Sequence, residues 1–152
     1  MVVGIISTME LLERLTRRQV DTLRALKDGE AARAGVPLGR VAEILAISAP
    51  SALAHLTALE SLGLVDRYRG RSRLTPKGQS CLLEYERHHR IVERMFDRMG
   101  LPRERLCDAA REVDLSIGHA TIERLCVADG HPGTCPHGEP IPRCPHRGKA
   151  ES

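Results

Sequence analysis

The segment CPHGEPIPRCPH, residues 135–146, contains the tripeptide Cys-Pro-His twice and could bind a metal ion. Residues two apart in an extended segment point to the same side, and the intervening proline prevents a helix. Each tripeptide can therefore present a thiolate and an imidazole together, and two tripeptides would complete a tetrahedral Cys2His2 shell suited to zinc. The four candidate ligands are Cys135, His137, Cys144 and His146. Because the spacing is not that of a zinc finger, a mobile reduced tail and a regulatory disulfide are alternatives. Cys126 and His131, just upstream, are not explained by the repeat.

A second candidate site lies on the longest predicted helix, which runs from Thr75-Pro76 through Met99. His89 falls on the apolar seam of this helix, and Glu93 follows one helical turn later, so both side chains can point at one site. A single histidine on an apolar face is more often a core residue, and a His/Glu pair is often a surface pair. The pattern by itself leaves both interpretations open.

A basic ribbon precedes this helix. Arginines fall on alternate residues on either side of Gly70, a pattern that predicts a β-hairpin with its turn at the glycine. The alternating cations are Arg67, Arg69, Arg71 and Arg73. The net charge of the chain is only +3. The local cluster of arginines is therefore a better indication of nucleic-acid binding than the net charge.

Two predicted helices joined by a tight turn stand before the hairpin, and together these elements predict a winged helix-turn-helix. Val41, Ile44 and Leu45 are expected to face inward from the first helix, and Leu53, Leu56 and Leu59 from the second. The second helix would lie in the major groove, and the hairpin guanidinium groups would contact phosphates. The candidate groove-facing residues are Ser48, which can cap the helix, Pro50, Ser51 and His55. The alternative is a solvated arginine-rich ribbon on a domain that binds protein.

Composition supports a mainly α protein. The 152 residues include two Tyr, one Phe and no Trp, so the core must be aliphatic, which favours helices. Further helices are predicted from Thr16 to Gly29, through LPRERLCDAAREVDL with Pro102 in its first turn, and from about Ile117 to Val127. The chain then turns irregular after Asp129-Gly130. We expect a winged helix-turn-helix domain over 1–75, a helical domain over 76–130 and a Cys/His/Pro-rich tail over 131–152.

The number of cysteines and the hydropathy of the sequence indicate the cellular compartment in which the protein is expected. Neither a signal peptide nor a stretch of roughly 18 apolar residues is expected, so no membrane partner is predicted. Five cysteines in such a chain indicate reduced thiols in the cytoplasm, which favours metal binding over a disulfide framework.

In combination, four stretches resemble the diphtheria toxin repressor family, which includes iron-dependent and manganese-dependent repressors. They are AEILAISAPSALAHLTALESLGLV, RSRLTPKG, ERHHRIVERMF and CPHGEPIP. The resemblance covers residues 16–142 and implies a winged helix-turn-helix followed by a helical metal-binding and dimerisation domain. It also implies operator binding as a dimer when divalent metal is present. Longer members add an SH3-like domain, which this chain is too short to contain.

The metal ligands of the family carry over in part. The resemblance implies that His89 and Glu93 are ligands on the long helix. Asp21 matches the N-terminal ligand of manganese-responsive members, where iron-responsive members have methionine. Cys107 stands where iron-responsive members have a histidine of the ancillary site, and Asp114 replaces a ligand glutamate.

Two other positions depart from the family pattern. Arg111 and Leu115 stand where further ligands would be, and an arginine cannot bind a cation that its own charge repels. A site of His89, Glu93 and Cys107 is still expected, and its imidazole, carboxylate and thiolate suit zinc or ferrous iron better than manganese.

The sequence thus predicts a cytoplasmic, metal-responsive repressor that binds operator DNA as a homodimer, with iron, manganese or zinc as co-repressor and a further structural zinc in the tail. The first alternative is a metal-independent or thiol-sensing winged-helix regulator. The second is a small metalloenzyme built on His89, Glu93 and Cys107, for which the sequence offers no separate catalytic base.

Overall fold

The computed structural model describes residues 7–29 and 34–144, and the chain divides into two compact units, Met1–Leu82 and Leu83–Ser152. The elements follow in the order α1 Thr8–Arg14, α2 Arg17–Asp28, β1 Val36–Pro37, α3 Leu38–Leu45, α4 Ala49–Ser61, β2 Val65–Tyr68, β3 Arg71–Leu74, α5 Pro76–Arg98, α6 Leu106–Val113 and α7 His119–Ala128. A single turn of 3-10 helix, Arg103–Arg105, precedes α6. The predicted mainly helical class is confirmed.

Local capping signals build the helices of the first unit. Thr16 begins α2 through a capping box with Gln19, and Ser48 begins α4 by accepting a hydrogen bond from the backbone N–H of Ser51. Ala46 ends α3 in the left-handed conformation at φ 52°, which turns the chain sharply towards α4. The core beneath these helices is aliphatic: Val20, Leu23, Leu26, Val41, Ala52, Leu56 and Leu59.

The predicted hairpin is present and gains a third strand. β3 pairs antiparallel with both β2 and β1, in the sheet order β1-β3-β2. Arg69 and Gly70 form its two-residue turn with φ of 49° and 73°, a conformation that glycine adopts readily and that matches the twist of the strands. The two-residue β1 was not predicted, because it is too short to show a period.

Some predicted inward positions are wrong. Ile44 is 40% exposed and Leu53 is 36% exposed. In α4 the buried stripe runs through Ala52, Leu56 and Leu59, and Leu53 lies one step of about 100° off that stripe. The predicted stripe contained the large Leu53, whereas the small Ala52 occupies the buried position.

The second unit combines the C-terminal part of α5, α6, α7 and the segment 131–144. Its buried core draws on all four: Ile91, Val92, Ala110, Ile122, Cys126 and Cys144. Pro102 precedes the 3-10 turn and α6 begins only at Leu106, later than predicted. Cys144 packs among residues of three helices, so the C-terminal segment up to this residue forms part of the core.

Within the described residues, no single helix is both long and apolar enough to cross a membrane. By length and composition alone, α3 and α4 meet the requirement as a pair bent by 104°.

Candidate metal centre and nucleic-acid interface

His89 is oriented by hydrogen bonds on one side of its ring. Its Nδ1 lies 2.8 Å from Oδ2 of Asp114, and the hydroxyl of Tyr85 donates to the same oxygen at 3.0 Å. The Asp114 carboxylate is fully buried, so it holds the ring firmly. When Nδ1 donates to this carboxylate, the lone pair of Nε2 is left for a cation, an arrangement typical of metal-binding histidines.

The Nε2 side of His89 faces two further donors. Oε1 of Glu93 lies 3.4 Å from Nε2, and Sγ of Cys107 lies 3.5 Å from it. One donor atom from each of the three residues lies within 4.8 Å of the others, close enough to bind one ion. The helical spacing of α5 brings His89 and Glu93 together, and α6 supplies Cys107, as predicted from the sequence.

The first Cys-Pro-His tripeptide reaches the same carboxylate. Nδ1 of His137 lies 3.4 Å from Oε1 of Glu93, and Glu93, Cys135 and His137 form a second group with donor atoms within 4.8 Å. The tripeptide sits in a tight turn, in which the N–H of Cys135 donates to the carbonyl of Glu139 at 2.8 Å. Glu93 therefore belongs to two donor groups that contain two thiols and two imidazoles.

Arginine side chains hold this turn in place through its carbonyl oxygens. Arg94 donates to the carbonyl of Thr134 at 3.1 Å, and Arg90 and Arg103 donate to the carbonyls of Pro140 and Pro136. These hydrogen bonds go to backbone carbonyls of the segment. The side chains of Cys135 and His137 remain close to Glu93.

The protonation of the site reflects these contacts. Burial opposes charge on His89, but the hydrogen bonds to Asp114 and Glu93 outweigh it and raise the pKa of His89 to about 9. Burial would raise the pKa of Glu93, and the neighbouring His89 and His137 lower it instead. The centre therefore stabilises a positive charge next to the Glu93 carboxylate. A bound metal cation would be stabilised in the same way.

Asp21 and Cys144, two further predicted ligands, are not part of these two donor groups. Asp21 is on α2 in the first unit, and its assignment stays a prediction. Among the described residues, Cys135 and Cys144 share no donor group, because Cys144 lies with Cys126 and His131. His146 falls outside the described residues, so the four-ligand shell predicted from the Cys-Pro-His repeat is not assembled within them. The link between Glu93 and the first tripeptide was missed, since no local signal connects residues 42 or more positions apart.

A third group, Glu84, His88 and His119, is built differently. The guanidinium of Arg87, fully buried, pairs with Glu84 at 3.0 Å and with Glu123. This fixed positive charge neutralises the carboxylates and opposes a dication, so we interpret the group as a structural network that joins α5 to α7.

The predicted DNA-contacting residues lie at the start of α4 and on the hairpin. Ser48 and Ser51 are exposed, with their hydroxyl oxygens 2.8 Å apart. Pro50 is in the first turn of the helix, and His55 is half-buried.

The hairpin arginines differ in their surroundings. Arg67 lies 3.6 Å from Glu60 and Arg73 lies 3.9 Å from Asp66, so both carry acidic neighbours. Arg71 donates to the carbonyl of Gly35 at 3.0 Å. Arg69 stands at the hairpin tip with its guanidinium 5.1 Å from the ring centre of Tyr68, which is 71% exposed. The tip therefore presents an exposed cation beside an exposed aromatic ring.

Comparison with known proteins assigns the second part of the chain to a family and finds relatives over most of its length. Residues 75–143 match the family described as iron dependent repressor, metal binding and dimerisation domain. The iron-dependent repressor IdeR of Mycobacterium leprae is 33% identical over 106 residues, which are 68% of this chain and 46% of that protein. The structure of the hypothetical protein SSo2273 from Sulfolobus solfataricus is 27% identical, with a TM-score of 0.80 over 84% of this chain and 99% of that chain. The structure of IdeR from T. acidophilum is also 27% identical, with a TM-score of 0.64 over 84% of this chain and 59% of that chain.

A winged helix-turn-helix followed by a helical metal-binding and dimerisation domain defines a class of two-part regulators. The chain belongs to the diphtheria toxin repressor family of iron-dependent repressors, as its motifs predicted. This is a family of transcriptional repressors rather than enzymes. The chain spans about half the length of the curated relatives that it matches.

Proposed function

We propose that this protein is a metal-responsive transcriptional repressor that binds operator DNA as a homodimer in the cytoplasm. The observation that carries the proposal is the convergence of His89, Glu93 and Cys107 in the domain that follows a winged helix-turn-helix. The family supplies the regulatory role, and the donor geometry supplies the reason for a metal to control it.

The metal would be held by Nε2 of His89, the carboxylate of Glu93 and the thiolate of Cys107. Cys135 and His137 form a second donor group with the same Glu93 carboxylate and would supply further ligands. Two sulfur, two nitrogen and one carboxylate donor suit zinc or ferrous iron better than manganese, which prefers oxygen ligands. Asp114 would orient His89 through Nδ1 and would not itself bind the metal.

The DNA-contacting surface would be formed by α4 and the hairpin. The exposed Ser51 at the start of α4 would face base edges in the major groove, and Arg69 at the hairpin tip would contact a phosphate. Arg67 and Arg73 each have an acidic neighbour that offsets their positive charge, so they would contribute less to phosphate binding.

A homodimer would present two such surfaces to a two-fold operator. The second unit carries exposed apolar side chains that suit an interface: Met99 is 72% exposed and Val127 is 59% exposed. Met99 also lines a cleft of about 210 Å³ between α5 and α7, together with Met95 and Leu125 among others.

The test is operator binding with and without metal. Fluorescence anisotropy on DNA from the protein's own promoter should show tighter binding when zinc or ferrous iron is added to chelated, reduced protein. His89→Ala should abolish that stimulation and keep the basal binding, whereas Arg69→Ala should weaken binding with or without metal and lower its salt dependence by about one phosphate contact.

Equal affinity in the presence and absence of every metal would contradict the proposal. A change in affinity on thiol oxidation alone would favour the alternative, a thiol-sensing regulator. This second candidate is retained because Cys107 is an exposed free thiol at the centre.

A further inference from the structure

A cluster of soft donors lies outside the proposed regulatory centre. Sγ of Cys126, Sγ of Cys144 and a ring nitrogen of His131 all lie within 4.8 Å of one another. Both thiols are buried, at 2% and 7% exposure, and Nδ1 of His131 lies 3.5 Å from the Cys126 sulfur. We propose that these three residues form a second, structural metal site that binds zinc.

The end of α7 places two of the three donors side by side. Gly130 and His131 follow the helix with φ of 70° and 54°, and the N–H of His131 donates to the carbonyl of Cys126 at 2.9 Å. These two left-handed residues reverse the chain and bring the imidazole back to the last turn of the helix. The left-handed conformation costs a residue such as histidine about 1 kcal/mol or more, so other interactions must hold His131 in this position.

The third donor arrives from the C-terminal segment. The N–H of Ile141 donates to the carbonyl of Gly133 at 2.9 Å, which folds the segment back on itself, and Cys144 then packs beside Cys126 in the core. A small cavity of about 10 Å³ is lined by Cys126, His131 and Cys144 together with Pro132, Ile141, Pro142 and Arg143. This space is close to that needed for one water-sized particle.

A fourth donor borders the cluster. Oε2 of Glu123 lies 3.5 Å from Sγ of Cys144, while Oε1 of the same carboxylate pairs with Arg87. Two thiolates and an imidazole are donors that zinc accepts in tetrahedral sites, and Glu123, which Arg87 holds, lies beside these three ligands. The two thiolates balance the charge of the dication, and Arg87 balances Glu123.

A reactive thiol pair is the competing interpretation. Both thiols are buried, at 2% and 7% exposure, so an oxidant in solution has little access to either sulfur. A pair of buried thiols with an imidazole beside them is better suited to share a cation than to sense an oxidant.

The site would fix both ends of the segment that carries Cys135 and His137. His131 lies before that turn and Cys144 after it, while the turn itself contacts Glu93 of the regulatory centre. A zinc ion bound at Cys126, His131 and Cys144 would therefore order two donors of the first centre. This consequence rests on the proposed function, whereas the existence of the zinc site does not.

The test is the number of zinc ions bound per chain. The protein is loaded with zinc, weakly bound metal is removed, and the remaining zinc is measured by elemental mass spectrometry. The double variant Cys126→Ser/Cys144→Ser should lose one equivalent relative to wild type. The control Cys81→Ser, a buried thiol outside these donor groups, should lose none. His89→Ala should retain the equivalent that the double variant loses, which separates failure of this site from failure of the regulatory centre.

Cobalt substitution adds a readout of the ligands. In the His89→Ala background, Co²⁺ should give the thiolate charge-transfer absorption and the intense visible bands of a tetrahedral site. Both should disappear when Cys126 and Cys144 are replaced by serine. His131→Ala changes a half-buried residue near the surface and should lower zinc affinity about 10-fold or more while the circular dichroism of the helices is kept.

Two results would overturn the proposal. One is an unchanged zinc content in both the double variant and His131→Ala. The other is a Cys126–Cys144 disulfide in protein purified without oxygen and alkylated before analysis, since a disulfide leaves no thiolate for the metal.

Discussion

At the scale of single residues, Asp114 has contacts that suit an orienting role at the His89 centre. The family pattern places it among the ligands, but in this chain its carboxylate accepts from Tyr85 and contacts Nδ1 of His89 at 2.8 Å. The resemblance predicts that Arg111 and Leu115 replace other ligands, which would leave Asp114 few partners for binding a metal. Its proposed task is to set the tautomer of His89.

We expect Asp114→Asn to weaken zinc binding at the His89 centre by about 10- to 100-fold without removing it, because an amide holds the Nδ1 proton of the imidazole less firmly than a carboxylate. Competition with a zinc-binding dye measures the affinity. The matched control is Asp108→Asn, an exposed aspartate on α6, the helix that ends just before Asp114, and it should leave the affinity unchanged. Complete loss of the bound ion in Asp114→Asn would instead make Asp114 a ligand.

At the scale of elements, two kinds of interaction join α5 to its neighbours: close backbone packing and a buried ion-pair network. One is the close approach of its first turn to the chain before the hairpin. Thr75 donates to the carbonyl of Gly63 at 2.6 Å and accepts from the N–H of Gly78 at 3.0 Å. The other is the buried charge network of Arg87, which connects α5 to α7.

Gly78 leaves no room for a side chain. A Cβ at this position would lie 2.0 Å from the carbonyl oxygen of Leu64, a backbone atom that cannot move aside. We expect Gly78→Ala to destabilise the protein by about 1–3 kcal/mol, measured by urea unfolding. Gly39→Ala on α3 is the control, because nothing lies within 4 Å of its Cβ, and it should be neutral or slightly stabilising. Equal stability of the two variants would contradict the packing at Leu64.

The Arg87 network should make stability depend on acid pH. Burial opposes the charge on Glu84, but hydrogen bonds from His88 and Arg87 outweigh it and lower the pKa of Glu84 from 4.5 to about 2. Between these values the folded protein binds fewer protons than the unfolded chain. The contribution of Glu84 is therefore complete above about pH 4.5 and is lost as the pH falls towards about 2.

Urea unfolding across this acid range tests the dependence. Glu84→Gln should cost about 2 kcal/mol at neutral pH, because it removes a charged partner of the buried Arg87, and should flatten the acid-side loss of stability. Glu104→Gln, at an exposed glutamate, should retain the wild-type profile. A wild-type profile in Glu84→Gln would show that other carboxyl groups cause the acid dependence.

At the scale of the whole molecule, the proposed activity requires two copies. The apolar surface at Val127 and Met99 lies in the domain whose family description includes dimerisation. We expect Val127→Glu to shift the protein from dimer to monomer in sedimentation velocity and to weaken operator binding by about 10-fold or more, because one half-site is then bound at a time. Met9→Glu, at an exposed position of the first unit, should leave both properties unchanged. A monomeric wild type that binds a two-fold operator tightly would contradict the dimer.

Much of the fold could be predicted because its signals are local. Thr16 and Ser48 cap helices within three residues of themselves, and Gly70 permits the hairpin turn where it stands. His89 and Glu93 share a helical face by their spacing alone. Backbone preference and side-chain period determine such features without reference to the remainder of the chain.

The tertiary structure decided the positions of Cys135 and Cys144, the first residues of the two Cys-Pro-His tripeptides. Cys135 and Cys144 are near in sequence, yet the turn at Gly138 and the bridge between Thr134 and Pro140 reverse the chain between them. Cys135 therefore lies with Glu93, while Cys144 lies with Cys126 and His131. Sequence alone shows which donors are available, but the packing of α5, α6 and α7 determines which donors meet, because each donor group includes a residue well separated along the chain from the others.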